Sequence, residues 1–178
     1  MEKPYLNGSI KLDELALKKA FIYNLNKIHP VLIQLTVLLP HLAEESCYGD
    51  LNNAITELSA EVEIHVNRIN TIFQELKVIP NKEKNQVIIH TLHALLPEKE
   101  YCYLDNLSKD LHLVFHIQNI LNTKRNYYSI LKSIAGSLNN IDIKQYLQYS
   151  YDECEDNQLI FKLIAKEYME SNINTFLS

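Results

Sequence analysis

Glu61 and His65 are the two residues of this 178-residue chain whose types and spacing most directly suggest chemistry. They stand four positions apart in a stretch whose apolar residues recur at steps of three and four, from Leu51 to Ile72, so a helix with both side chains on one face is predicted. His65 falls within the apolar row itself, which indicates a position facing a bundle interior. A carboxylate and an imidazole placed in this way are either metal ligands or members of a hydrogen-bonded core network.

Polar residues on the inward rows of two other predicted helices are candidate partners for this pair. In chain order they are Gln118, Arg125, Ser150, Cys154 and Asn157, with Asn122, Glu153 and Gln158 close by. A buried ionised group is costly unless it is paired, so this polar layer is predicted to be either a site or a satisfied core network. Because core networks are commoner than metal sites, spacing alone favours the network.

The remaining histidines are weaker candidates. His112 and His116 are four apart, but they lie beside the predicted inward row and are expected on a solvated flank. His90 and His93 flank a short amphipathic segment. The chain has no Ser/His/Asp arrangement, Gly-rich phosphate loop or HExxH motif, so the sequence does not predict a particular enzymatic reaction.

Four long helical patterns must position these residues. They are predicted at residues 12–45, 51–77, 107–138 and 142–176, with a shorter helix at 83–96. Pro30 and Pro40 are expected to bend the first helix or to divide it near His29. Long helices joined by short turns predict an all-α antiparallel four-helix bundle with an additional short helix. Residues 1–178 are predicted to form one domain, in which residues 1–10 are an extended N-terminal arm.

Composition and charge exclude several classes of function. The chain has three glycines and a net charge of −5, which argues against Gly-rich nucleotide folds, nucleic-acid binding and association with an anionic membrane. Cys47, Cys102 and Cys154 are widely separated and odd in number, so a disulfide framework is not expected. The N-terminal residues carry no apolar signal segment, and a reduced, cytoplasmic setting is therefore predicted.

Short motifs spread over most of the chain resemble those of the YciE/YciF-type stress proteins, a ferritin-like family of bacterial helical bundles. In chain order they are Phe21-Ile22 with Leu25, Gln34 with Leu39-Pro40, Glu61 with His65, Arg68-Ile69 and Ile72-Phe73, Asp110 with Leu113 and Gln118, Tyr128 with Leu131 and Ala135, and Asp152-Glu153. Their order and spacing together, rather than any single motif, carry the resemblance.

The resemblance implies a ferritin-like bundle, and ferritin-like proteins of this kind hold a two-metal centre with inward glutamates and histidines. In this chain the position implied for the first-helix glutamate is Leu32, and the Glu-His pair implied for the third long helix falls on Leu121 and Asn122. In the last helix, Cys154 and Gln158 stand where acids are implied. The ligands that remain are Glu61, His65 and Glu153. No metal cofactor is therefore expected, and iron is the alternative.

Arg125 is expected to compensate for the missing metal charge. It lies on the predicted inward row at a depth similar to that of Glu61, so its guanidinium is predicted to pair with that carboxylate. The interior polar residues predicted to act together, as a core network or a residual metal site, are thus Glu61, His65, Gln118, Arg125, Glu153 and Cys154.

Three functions follow from this interpretation. The preferred one is a non-enzymatic ferritin-like bundle that has lost its metal centre and acts through protein contacts, as a homodimer associated with stress. The first alternative is an iron- or metal-binding protein or oxidase with a reduced site around Glu61 and His65. The second is a small-molecule binder that uses space between Leu32 and Leu121.

Overall fold

The computed structural model describes residues 13–81, 104–137 and 140–176, and these residues form four long α-helices. They are α1 (Glu14–Glu45), α2 (Gly49–Glu75), α3 (Asn106–Ala135) and α4 (Ile141–Phe176). The predicted all-α class is confirmed, and the predicted ends of the four long helices lie within three residues of the observed ones. The predicted arm at 1–10 and the predicted short helix at 83–96, which contains His90 and His93, lie outside the described residues.

Helix α1 continues through both of its prolines instead of dividing near His29. Each proline removes one backbone donor and therefore weakens the helix locally. The residues on the inner face around Pro30, including Ile28 and Val31, are almost completely buried, and this packing holds the helix together. His29 contributes a tertiary contact, because its Nε2 atom lies 3.0 Å from Oδ1 of Asn70 on α2.

The four helices pack as two hairpins with a defined relative order. α1 packs most extensively on α2, and α3 on α4, while α1 also contacts α3 and α2 also contacts α4. Asp110, near the start of α3, contacts the turn between α1 and α2, whereas Asn140, just before α4, contacts Glu75 at the end of α2. The connection between α2 and α3 therefore joins opposite ends of the bundle, as the single long crossover of a ferritin-like fold does.

The interior between the helices is a continuous apolar core into which each helix contributes one face. Leu32 of α1 and Leu121 of α3, the leucines that stand at the positions implied for carboxylates, are both fully buried within it. None of the described helices combines the length and the apolar composition that a bilayer crossing requires.

Asp110 is a fully buried carboxylate that fastens the turn between α1 and α2 to the start of α3. Its two oxygens accept hydrogen bonds from the backbone N–H groups of Cys47, at 2.7 Å, and Tyr48, at 3.0 Å. These donors belong to the turn just before α2, in which Tyr48 is the N-cap residue of the helix. The interaction stabilises the end of the bundle at which three helices meet.

The substitution Asp110→Ala should lower the free energy of unfolding by about 2–3 kcal/mol, because it leaves two backbone donors without their charged acceptor. Urea unfolding at pH 7 measures the effect. Asp50→Ala is the control, since Asp50 is an exposed acid in the first turn of α2, and its loss should cost less than about 1 kcal/mol. Equal losses in the two variants would contradict a structural role specific to Asp110.

Candidate functional site

Seven polar side chains from three helices meet inside the bundle, and together they are called the interior polar cluster here. Its members are Glu61, His65 and Arg68 of α2, Lys124 of α3, and Ser150, Glu153 and Asn157 of α4. Within α2 and within α4 the members are three or four residues apart, so one helical face presents all of them to the neighbouring helix. Because α2 and α4 are antiparallel neighbours, these two faces meet.

Glu153 is the acceptor at one end of the cluster. His65 Nε2 lies 2.8 Å from Glu153 Oε2, and Arg68 contacts both oxygens of the same carboxylate, with its Nη2 atom 2.9 Å from Oε1 and its Nη1 atom against Oε2. The Nη1 atom also donates to Ser150 Oγ at 3.1 Å. A guanidinium that engages both oxygens of a carboxylate fixes the orientation of each group. The contacts of His65 and Arg68 with Glu153 therefore join α2 to α4.

Glu61 is the acceptor at the other end. Asn157 Nδ2 donates to Glu61 Oε2 at 2.6 Å and to the backbone carbonyl of Glu153 at 2.8 Å. The other oxygen, Glu61 Oε1, lies 3.5 Å from His65 Nε2 and 3.6 Å from Lys124 Nζ. Lys124 is fully buried, so its ammonium group reaches Glu61 from within the core.

The pKa values of the cluster follow from burial and from these neighbours. Burial lowers the pKa of His65 to about 3, and the charge of Lys124 acts in the same direction, while the contact with Glu153 opposes both. Burial alone would raise the pKa of Glu153, but hydrogen bonds from His65 and Arg68 outweigh it and lower that pKa to about 2. Burial raises the pKa of Glu61, against the effects of Lys124 and Asn157. At neutral pH, His65 is therefore an uncharged donor to an ionised Glu153.

Two further buried groups border the cluster without offering reactive chemistry. The ring of Tyr128 lies edge-on to that of His65, with 5.2 Å between centroids, and burial raises the pKa of its hydroxyl well above the usual value. Burial likewise raises the pKa of Cys154 to about 11, so its sulfur remains a neutral thiol. The thiolate is the nucleophilic and metal-binding form of cysteine. Cys154 therefore acts as a small packing residue at this position.

The structure brings together three of the six residues predicted to act together, Glu61, His65 and Glu153, and places Cys154 beside them. Gln118 is half-buried on α3, and within the described part of the chain no hydrogen bond joins it to the cluster. The predicted pairing of Arg125 with Glu61 is wrong. Arg125 lies at the surface, where its Nε atom donates to Glu155 Oε1 at 2.7 Å.

The error on α3 is one of helical phase. The inward residues are Leu121, Lys124 and Tyr128, and Arg125 is turned by about 100° from Lys124. Lys124 was missed, although its spacing of three from Leu121 and four from Tyr128 is a signal that could have identified it. Arg68 was noted only as part of a motif, and its contact with Glu153 was not predicted.

One potential metal site is present among the described residues. Across residues 13–81, 104–137 and 140–176, one group of His, Cys, Asp or Glu side chains is compact enough to hold an ion: Glu61, His65 and Glu153, whose ligand atoms lie within 4.8 Å of one another. The rings of His112 and His116 meet edge to face with 4.3 Å between their centroids, but no third ligand forms such a group with them there. Two metal ions need more carboxylates than this set offers, so the described residues do not by themselves supply the ligands of a two-metal centre.

The fold and this site together define a ferritin-like four-helix bundle whose interior carries a polar cluster made of its own acids and bases. The chain belongs to the family described as "Domain of unknown function (DUF892)", whose model matches residues 16–174. The resemblance to the YciE/YciF-type proteins is confirmed by this match and by solved structures.

Two solved structures share the fold at low sequence identity. The Escherichia coli stress protein YciF is 18% identical, with a TM-score of 0.77 over 86% of this chain and 97% of that chain. YcfI from Rhodopseudomonas palustris, whose description suggests a structural role, is 18% identical, with a TM-score of 0.74 over 89% of this chain and 98% of that chain. No curated protein sequence matches the chain significantly.

Proposed function

We propose that this protein is a non-enzymatic ferritin-like bundle without a metal centre, and that its interior polar cluster stabilises the fold instead of supporting a reaction. The supporting observation is the charge balance of the cluster. Two carboxylates, Glu61 and Glu153, are matched by two cations, Lys124 and Arg68, while His65 is neutral. In a ferritin-like metal protein the metal ions balance the carboxylates. Here the side chains already do so, and a divalent ion would add unbalanced charge.

The biological role is proposed from the same reasoning and from the related structures. A bundle that keeps the scaffold of a metal enzyme but only part of its ligand set is suited to work through protein contacts. YciF is described as a stress protein, and YcfI has a suggested structural role. We extend these roles to this chain as part of the proposal, together with a homodimeric, cytoplasmic state, which light scattering of the purified protein and localisation of a tagged chain would test.

Purified protein should contain no stoichiometric iron, manganese or zinc, and it should not oxidise added ferrous iron faster than buffer does. The reason is that only three ligands are retained, and the two carboxylates among them are already paired with Lys124 and Arg68. Elemental analysis and anaerobic titration with ferrous iron make the two measurements. Saturable binding that disappears in Glu61→Ala would overturn the proposal.

A second candidate function is the binding of a single metal ion, and the compact arrangement of Glu61, His65 and Glu153 favours it. Thermal unfolding in chelator and in excess Zn²⁺ separates the two candidates. If the cluster is structural, His65→Ala should lower the melting temperature in chelator, because it removes buried packing and leaves Glu153 short of a donor. If a metal binds, the same variant should specifically lose stabilisation by Zn²⁺, since only the bound state gains from that ligand.

A further inference from the structure

Lys124 differs from Arg68, the other cation of the interior polar cluster, in the way it is held. Its side chain is fully buried, yet its Nζ atom has no hydrogen-bond acceptor within reach in the described structure. The ion-pair partner of Lys124 Nζ is Glu61 Oε1, which lies 3.6 Å away. This oxygen is likewise buried without a hydrogen bond. The two groups therefore interact through charge, and no directed hydrogen bond fixes the ammonium in place.

Arg68 has the opposite character. It lies at the partly exposed edge of the cluster and is committed to both oxygens of Glu153 and to the hydroxyl of Ser150. Such a bidentate pair has a fixed geometry and a defined partner. Of the two cations, Lys124 is thus the one that lies next to Glu61 Oε1, the oxygen that is 3.5 Å from His65 Nε2.

A divalent ion bound by Glu61 and His65 would lie close to this ammonium group. A metal–oxygen bond is about 2 Å long, so an ion on Glu61 Oε1 would be less than about 6 Å from Lys124 Nζ. Repulsion between an ammonium and a divalent cation at that separation is strong in an interior where the effective dielectric is well below that of water. In the absence of the ammonium, Glu61 and His65 would offer two ligands next to Glu153, which stays in contact with Arg68, and the three ligand atoms lie within 4.8 Å of one another.

We propose that Lys124 is the residue that keeps divalent metal ions away from Glu61 and His65, acting as a covalently attached cation beside these two ligands. The inference rests on the proposed metal-free function and assigns the exclusion of metal ions to one side chain. It also predicts that a single substitution restores metal binding, although Leu32 and Leu121 remain in place of the carboxylates implied for a two-metal centre.

The test is Zn²⁺ binding by the full chain, measured by isothermal titration calorimetry. Lys124→Met keeps the length of the side chain and removes its charge, and it should bind one Zn²⁺ per chain at least about 100-fold more tightly than the unmodified protein. Adding His65→Ala to this variant should abolish the gain. Lys124→Arg retains the charge, and Arg125→Met removes a charge from the adjacent exposed position, so neither should bind Zn²⁺ more tightly.

The possible results separate this inference from the proposed function. If neither the unmodified protein nor Lys124→Met binds Zn²⁺, the role of Lys124 is overturned and the metal-free function stands. Stoichiometric binding by the unmodified protein overturns both. Should Lys124→Met not fold by itself, Lys124→His replaces the charge with a ligand: refolding only when Zn²⁺ is present supports the inference, and failure to refold with Zn²⁺ overturns it.

Discussion

Lowering the pH from 6.5 to 4.5 should reduce the free energy of unfolding by about 2–3 kcal/mol, chiefly through His65. The pKa of this residue is about 3 in the folded protein and about 6.5 in an unfolded chain. Between these values the unfolded state binds a proton that the folded state does not, so stability falls as the pH falls. Below pH 4.5 the decline should become steeper, because Glu153, with a folded pKa of about 2, then also favours the protonated, unfolded chain.

Urea unfolding across this pH range, for the unmodified protein and for His65→Gln, measures the effect. The variant should be less stable at pH 7 but should lose much less stability between pH 6.5 and 4.5. Burial also lowers the pKa of His29 and His116, so a smaller slope should remain. His41→Gln, at an exposed position of α1, is the control and should follow the unmodified protein. Identical slopes in His65→Gln and the unmodified protein would contradict the assignment.

Glu153→Gln should lower the free energy of unfolding by about 2 kcal/mol at pH 7. The change removes the charge that holds Arg68 in a bidentate contact, and it weakens the acceptor of the buried His65. The lowered pKa of Glu153 corresponds to about 3 kcal/mol at most, and partial exposure to solvent reduces this figure. Urea unfolding makes the measurement.

Glu155→Gln is a matched control for that prediction, since it removes the same charge two residues further along α4. Glu155 also pairs with an arginine, Arg125, but both side chains are exposed. Exposed ion pairs contribute little to stability, so this change should cost less than about 0.5–1 kcal/mol. Comparable losses in Glu153→Gln and Glu155→Gln would show that the interior polar cluster is no more important than a surface ion pair.

The sequence by itself determined the helices and the placement of the pair from which the site is built. The apolar residues of α2 define a single inward-facing row, so no second row is plausible. His65 is the one polar residue among the buried residues of this helix. Helical geometry then fixes which neighbours share that face, so the spacing of four residues is enough to place Glu61 beside His65. The row along α4, including Cys154 and Asn157, was correct for the same reason.

The tertiary structure decided the charge partners of that pair. On α3, apolar residues are so dense that two neighbouring rows are plausible, one containing Arg125 and the other Lys124. Packing against α1 and α4 selects the row of Lys124 and leaves apolar residues such as Phe115 and Ile130 exposed. The contact between His65 and Glu153 joins residues 88 positions apart. A helical repeat specifies which residues of one helix share a face. Which residues of another helix lie opposite that face is determined only by the packing of the helices in the folded bundle.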